Sequence, residues 1–142
     1  MVCHIANRLV DLHSAGYVHR DLKQSNVMWQ PQLNRWTLID FGLVARIGEP
    51  AKMGFSLGFA APEVVIAFRK GESSVIASEA MDAWSLGVLA VELFTNDVGI
   101  DLMQGTEQVW LPHRLIVVCA AVSTVAVASR QLCTMQSLGS VY

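Results

Sequence analysis

Charge is scarce in this chain. Charged residues make up 15% of its 142 positions, against about 25% in an average soluble domain, while the apolar set reaches 53%. A formal net charge of -2 excludes broad electrostatic attraction to nucleic acid or anionic lipid as an organising theme, leaving room only for a local basic patch. Cysteine is also scarce. Cys3, Cys119 and Cys133 are odd in number and too scattered for a short zinc-binding spacing, so free thiols in a reducing compartment are expected. No secretory leader is readable, because the opening MVCHIANRLVDLHSAG interrupts its apolar positions with Asn7, Arg8, Asp11 and His13. Carboxylates stop at Glu107, and the 35 residues after it carry only Arg114 and Arg130 as permanent side-chain charges. Their apolar run LIVVCAAVSTVAVA, residues 115–128, falls short of the roughly 20 residues an ordinary membrane-spanning helix needs. A buried strand or helix is expected there, with a membrane-associated or aggregation-prone tail as the second reading.

The length suits one domain or part of one. Ile5, Leu9 and Leu12, with Ala6 and Val10 beside them, have the spacing of one apolar helical face, and Gly16 is placed to end that helix in a left-handed cap. NVMW and WTLID flank QPQLNR, where Pro31 and Asn34 favour a turn, so a small hairpin is expected. A loop with Gly48, Pro50, Gly54 and Gly58 leads to PEVVIAFRK, a short helix with Pro62 in its first turn. MDAWSLGVLAVELF is apolar around nearly its whole circumference, as a helix surrounded by others would be.

Between the first helix and the hairpin lies VHRDLKQSNV, residues 18–27, with three basic side chains, a carboxylate and two amides in ten positions. HRDLKQSN (19–26), DFG (40–42), APE (61–63) and DAWSLG (82–87), in that order, resemble the second half of a eukaryotic-type protein kinase catalytic domain of the serine/threonine class. The resemblance covers residues 1–96 and implies a fold that is mainly α with a small β-hairpin, the C-terminal lobe of a protein kinase. Residues 97–142 are expected to form a divergent or truncated apolar tail.

The resemblance also implies chemistry. Phosphoryl transfer from ATP needs an oriented hydroxyl, divalent ions on the phosphates and positive charge against the transferring group. Asp21 would accept or orient the substrate hydroxyl proton, Lys23 would approach the transferring phosphate, and Asn26 with Asp40 would hold magnesium, or manganese in its place. Helix capping and loop hydrogen bonding remain the plain alternative for Asp21 and Asn26. His19 would be the packed imidazole of the catalytic loop, Phe41 an apolar plug behind Asp40, and Gly42 a point of backbone freedom. Asp82 would hydrogen-bond the catalytic-loop backbone. Glu63 would seek a buried arginine, although neither Arg114 nor Arg130 lies in a recognisable motif for that pairing.

Arg20 raises a question of regulation. In relatives with this arginine, a phosphate on the activation segment often neutralises it. Here LVARIGEPAKMGF, residues 43–55, contains no Ser, Thr or Tyr, so activation without phosphorylation is expected, with Glu49 as an acidic substitute. Ser56 is expected to help seat the substrate near Asp21 and Lys23, so that its phosphorylation would inhibit.

The glycine-rich phosphate cover of the family, its strand lysine and its helical glutamate lie far upstream of the catalytic loop, and 18 residues precede His19 here. No G-x-G-x-x-G or G-x-x-x-x-G-K-[ST] pattern is present. The resemblance therefore implies ATP-dependent phosphorylation of protein serine or threonine, with little activity expected of residues 1–142 alone. A small lobe, another kinase or a regulator would be the partner, with no nucleic acid and no membrane. A noncatalytic, kinase-derived interaction module and a truncated gene product are the competing readings. The expected location is intracellular and cytoplasmic, with the nucleus open.

Overall fold

The computed structural model describes residues 1–95. The expected apolar tail, Cys119, Cys133, Arg114 and Arg130 lie outside the described residues.

The first helix, α1 (Val2–Ser14), forms where the apolar stripe predicts it. Ile5, Ala6 and Leu9 are buried, and Arg8 pairs with Asp11 one turn on at 3.0 Å. Val10 departs from the expected apolar face. It is 53% exposed because, one residue past Leu9, it lies about 100° around the helix. Ala15 stays right-handed, and Gly16 takes φ +87° while its N–H bonds the His13 carbonyl, so the left-handed position after the helix falls on the residue without a Cβ.

The chain then enters β1 (Tyr17–Val18), the loop of residues 19–26, and the hairpin of β2 (Val27–Gln30) and β3 (Arg35–Leu38). The hairpin runs antiparallel from Val27 opposite Leu38 to Gln30 opposite Arg35. Its turn is a single 3₁₀ turn over Pro31–Leu33, closed by Asn34 at φ +47°, a backbone region asparagine tolerates better than most residues. Trp29 and Trp36 face each other across the strands with ring centroids 5.5 Å apart.

Two further strand pairs escape the expectation of a single hairpin. β4 (Ala45–Arg46) pairs antiparallel with β1, and β5 (Pro50–Lys52) pairs antiparallel with β6 (Ser74–Ile76). The segment expected to be loop is thus stitched on both sides by main-chain hydrogen bonds. Pro50 is compatible with this because it opens its strand in a two-stranded ribbon, where a missing N–H costs little.

α2 (Pro62–Arg69) starts on its proline as expected. α3 (Glu79–Thr95) is the central helix. Met81, Leu86, Val88, Leu89 and Ala90 are all 6% exposed or less. One apolar cluster joins Ile5, Leu9, Leu22, Leu38, Leu86 and Leu89; a second joins Val18, Ala51, Ala61, Val64, Ala77 and Met81. Leu22 and Val18, both fully buried, anchor the charged loop to one cluster each.

Candidate active site

A buried carboxylate fixes the loop. Asp82, fully buried on the first turn of α3, accepts the His19 N–H at Oδ2 and the Arg20 N–H at Oδ1, each at 2.8 Å. His13 Nε2 lies 2.8 Å from the same Oδ2. Three donors meet the otherwise prohibitive cost of burying a charge. They also set the loop backbone, and Arg20 accepts φ +69° there, a strained value for a non-glycine residue held by its surroundings.

The His19 ring is fully buried. Its Nε2 lies 3.2 Å from the Ile39 carbonyl and its Nδ1 accepts the Asp21 N–H at 3.4 Å, so the partners select the tautomer protonated at Nε2. This ring ties the loop to the end of β3. Phe41 packs on it with centroids 5.2 Å apart, but Phe41 is 54% exposed. The expected apolar plug is instead a ring covering His19 with much of its surface open, because among the described residues His19 is its aromatic partner and no buried cluster includes it.

Asp21, with a carboxylate 11% exposed, stands at the centre. Its Oδ1 accepts from Ser56 Oγ at 2.7 Å, and its Oδ2 accepts from Lys23 Nζ and from Asn26 Nδ2, both at 2.9 Å. Lys23 Nζ also donates to Ser56 Oγ at 2.7 Å, closing a ring of hydroxyl, ammonium and carboxylate. Asn26, only 4% exposed, gives Nδ2 to the Asp21 carbonyl as well, at 2.8 Å. Its amide nitrogen is therefore committed, and its carbonyl oxygen is the atom left for a ligand. Ser56 reaches this cluster from far along the chain, which the spacing of the motifs does not by itself dictate.

Burial pushes the Asp21 carboxyl up, but the hydrogen bonds from Ser56, Lys23 and Asn26, with the Lys23 charge, outweigh it and leave the group below its ordinary value. A carboxyl lowered by folding contributes stability above its unfolded pKa, and that contribution is lost as pH falls through the folded value. Ser56→Ala removes one of the lowering hydrogen bonds, so the Asp21 midpoint should rise toward that of an ordinary aspartate. A carbon-detected NMR titration of the side-chain carboxyls reads this directly; an unchanged midpoint would mean that the Ser56 bond is absent in solution.

Asp40 is positioned by the hairpin. The Ile39 N–H bonds the Asn26 carbonyl at 3.0 Å, continuing the register beyond Val27 and Leu38, so Asp40 leaves the hairpin at the end where Asn26 enters it. Asp40 is exposed at φ +61°, and its Oδ1 accepts the Gly42 N–H at 3.2 Å. A Cβ on Gly42 would sit 3.2 Å from that oxygen, so the glycine keeps the carboxylate uncrowded. No group of three or more His, Cys, Asp or Glu among the described residues could hold a metal.

One remaining expectation is corrected and one falls outside the described residues. Glu63 lies exposed in the first turn of α2, where water and the N-terminal helix dipole suit a surface carboxylate; Arg114 and Arg130, the arginines considered for its pairing, are not among the described residues. Glu49 is exposed and forms no ion pair with Arg20 among the described residues. The Arg20 guanidinium instead donates to two main-chain carbonyls, Leu43 at 3.2 Å and Lys52 at 2.8 Å, since the strand pairings bring backbone rather than carboxylate within its reach.

His13 is the residue the motifs miss. A signal for it exists: Ile5, Leu9 and His13 are spaced by four on α1, so an imidazole continues a buried stripe and requires a polar partner.

Comparison with known proteins decides the family. The family model for the protein kinase domain matches residues 1–132. The chain belongs to the protein kinase family. The match continues past residue 96, where readable motifs stop. Among curated kinases, the human serine/threonine-protein kinase Kist is 35% identical over 105 residues, 68% of this chain and 25% of that protein. The mitogen-activated protein kinase mpkC of Emericella nidulans is 34% identical, over 70% of this chain and 23% of its own length. The chain thus spans about a quarter of the length of these kinases. The solved structure of PK-1, the Cydia pomonella granulovirus kinase, shares the fold with a TM-score of 0.53 and 24% identity, over 68% of this chain and 36% of that one.

Proposed function

We propose that residues 19–56 are the catalytic side of a serine/threonine protein kinase that moves the terminal phosphoryl group of ATP to a protein hydroxyl. The described residues correspond, in this reading, to the C-terminal lobe of the kinase fold. The observation that carries it is the Asp21 cluster: a carboxylate already holding a hydroxyl, Ser56 Oγ, at 2.7 Å beside the Lys23 ammonium at 2.9 Å has the geometry to orient an incoming hydroxyl and receive its proton as charge moves to the phosphoryl group. Structural capping alone gives no reason to gather an ammonium, and a hydroxyl from 35 residues away, around one largely buried carboxylate.

The donor set fits magnesium or manganese. Asn26 leaves an amide oxygen free, and Asp40 offers an exposed carboxylate with one oxygen unbonded; hard oxygen donors few in number suit an ion that takes its other ligands from phosphate and water. When bound with ATP, the ion neutralises phosphate charge. Asp21 orients the incoming hydroxyl and takes its proton, Lys23 offsets charge on the transferring group, and Ser56 holds both in register. The described residues contain no glycine-rich cover, so transfer in this reading draws that part from a longer chain or a complementing partner. The setting is intracellular, where ATP and protein substrates meet.

Exposed apolar side chains beside the site, Phe41 at 54% and Leu57 at 65%, favour a second reading as a noncatalytic binding module. Calorimetry separates the two. Residues 1–142 should bind ATP only with magnesium, and Asp40→Ala should abolish the heat while the fold persists; a folded wild-type chain with no Mg-dependent binding would overturn the catalytic reading in favour of the module.

A further inference from the structure

The β5–β6 ribbon has one guarded edge and one open edge. At its ends the Ala77 N–H bonds the Glu49 carbonyl at 3.0 Å and the Met53 N–H bonds the Ser73 carbonyl at 2.9 Å. Bonded and unbonded pairs alternate along an antiparallel ladder. Ala51 opposite Val75 is therefore bonded, while Pro50 opposite Ile76 and Lys52 opposite Ser74 turn their main-chain groups away from the partner strand. On β5 that outward edge is guarded: Pro50 has no N–H there, and the Lys52 carbonyl is taken by Arg20. On β6 it is open. The N–H and carbonyl groups of Ser74 and Ile76 have no hydrogen-bond partner among the described residues, and an edge of this kind is a template for another strand.

Side chains alternate across the same ribbon. Ala51 and Val75 turn to the second apolar cluster, so Pro50, Ser74 and Ile76 face the other way. There they border an open groove of about 560 Å³ whose far wall is one face of α2, carrying Glu63, Ile66 and Lys70. Ile66 is 50% exposed and Ile76 55%, and Glu72 brings a second carboxylate to the rim. Glu63, Lys70 and Glu72 form no ion pair among the described residues. We propose that β6 receives an extended segment of a protein partner as a third strand of this ribbon. The partner's main chain pairs with Ser74 and Ile76, its alternate aliphatic side chains enter the groove over Ile66 and Ile76, and a lysine or arginine meets Glu72. Each feature selects for this occupant. The open edge demands a backbone with free N–H and carbonyl groups, which an extended chain has and a helix has already used. Two carboxylates against one ammonium favour a basic segment over an acidic one. None of these residues belongs to the Asp21 cluster, so the surface is independent of the catalytic reading.

The test uses residues 1–142 and, as probe, a short capped peptide that alternates valine with lysine and threonine, followed by amide exchange in NMR and by fluorescence polarisation of the labelled peptide. In the chain alone the Val75 amide, facing β5, should exchange slowly and the Ser74 and Ile76 amides fast. Saturating probe should slow Ser74 and Ile76 by about tenfold or more and leave Val75 unchanged. Two further probes, N-methylated on alternate amides in opposite phases, keep every side chain. Only the phase that blocks the bonded edge should lose affinity, by about tenfold or more. Ser74→Pro removes one outward N–H and should weaken the unmethylated probe by about fivefold, with Val75 protection as the folding control; Ser74→Ala, which keeps that N–H, should bind as wild type. Glu72→Lys should weaken it by about threefold, as for an exposed ion pair. Slow Ser74 and Ile76 exchange in the chain alone, a folded chain that does not bind the probe, or equal affinity for the two methylated phases would each overturn the proposal. So would a dimer in sedimentation that Ser74→Pro dissociates, which would assign the edge to a second copy of this chain.

Discussion

Asp82→Ala should destabilise the folded chain by about 3–5 kcal/mol, the range for breaking a buried charged network by removing one partner. The His19 and Arg20 N–H groups would lose their acceptor inside the protein, where an unsatisfied donor costs about 1–3 kcal/mol, and His13 would lose its partner. Against a total stability of about 5–15 kcal/mol, that is enough to leave much of the population unfolded. Asp82→Asn should fall between wild type and alanine, because one carbonyl oxygen survives while the new amide hydrogens face donors. Urea denaturation followed by tryptophan fluorescence measures the series. Equal midpoints for wild type and Asp82→Ala would mean that the carboxylate does not organise the loop. His13→Ala should cost less than Asp82→Ala, since it removes one donor at the partly exposed side of the network and leaves both backbone bonds in place.

The parts of the fold legible in the sequence are those whose signal lies in side-chain type at short range. α1 was readable from Ile5, Ala6 and Leu9, the hairpin from Pro31 and Asn34 between β-rich runs, α2 from Pro62, and α3 from its unbroken apolar surface. The β5–β6 pair was not readable. It joins residues 50–52 to 74–76 through main-chain bonds, which leave no pattern in short strands, and Pro50 and its glycine neighbours argue locally for loop. The same limit explains the partner of Arg20: a sequence suggests carboxylates such as Glu49, whereas the acceptors are carbonyls of Leu43 and Lys52, which any residue supplies. Phe41 takes its place from its motif, but exposure depends on what packs over it, and motif identity carries no such information. At the site, residue identities were legible from HRDLKQSN and DFG, and resemblance set Ser56 near Asp21 and Lys23, while its direct hydrogen bonds to both and the contribution of His13 needed three dimensions.

In a form of the protein that transfers phosphate from ATP, Asp21→Asn should lower kcat by about 10²–10⁴, the usual contribution of a positioned general base, with little change in Mg-ATP affinity. The amide keeps the volume of the carboxylate and can still accept from Lys23 and Asn26 through one oxygen. Its NH₂ would face Ser56, whose hydroxyl has a second lone pair to receive it, so the loop should stay folded. What the substitution removes is the basic site and the negative charge. Ser56→Ala makes the necessary contrast: it deletes one neutral donor, leaves Lys23 and Asn26 on Asp21, and should lower kcat by no more than about tenfold, as for one hydrogen bond of about 1 kcal/mol. Steady-state assays with labelled ATP at saturating nucleotide separate the two. A large loss confined to Asp21→Asn identifies proton acceptance as the role of this carboxylate; equal small losses in both variants would reduce Asp21 to a scaffold for Ser56 and Lys23 and remove the main support for catalysis at this site.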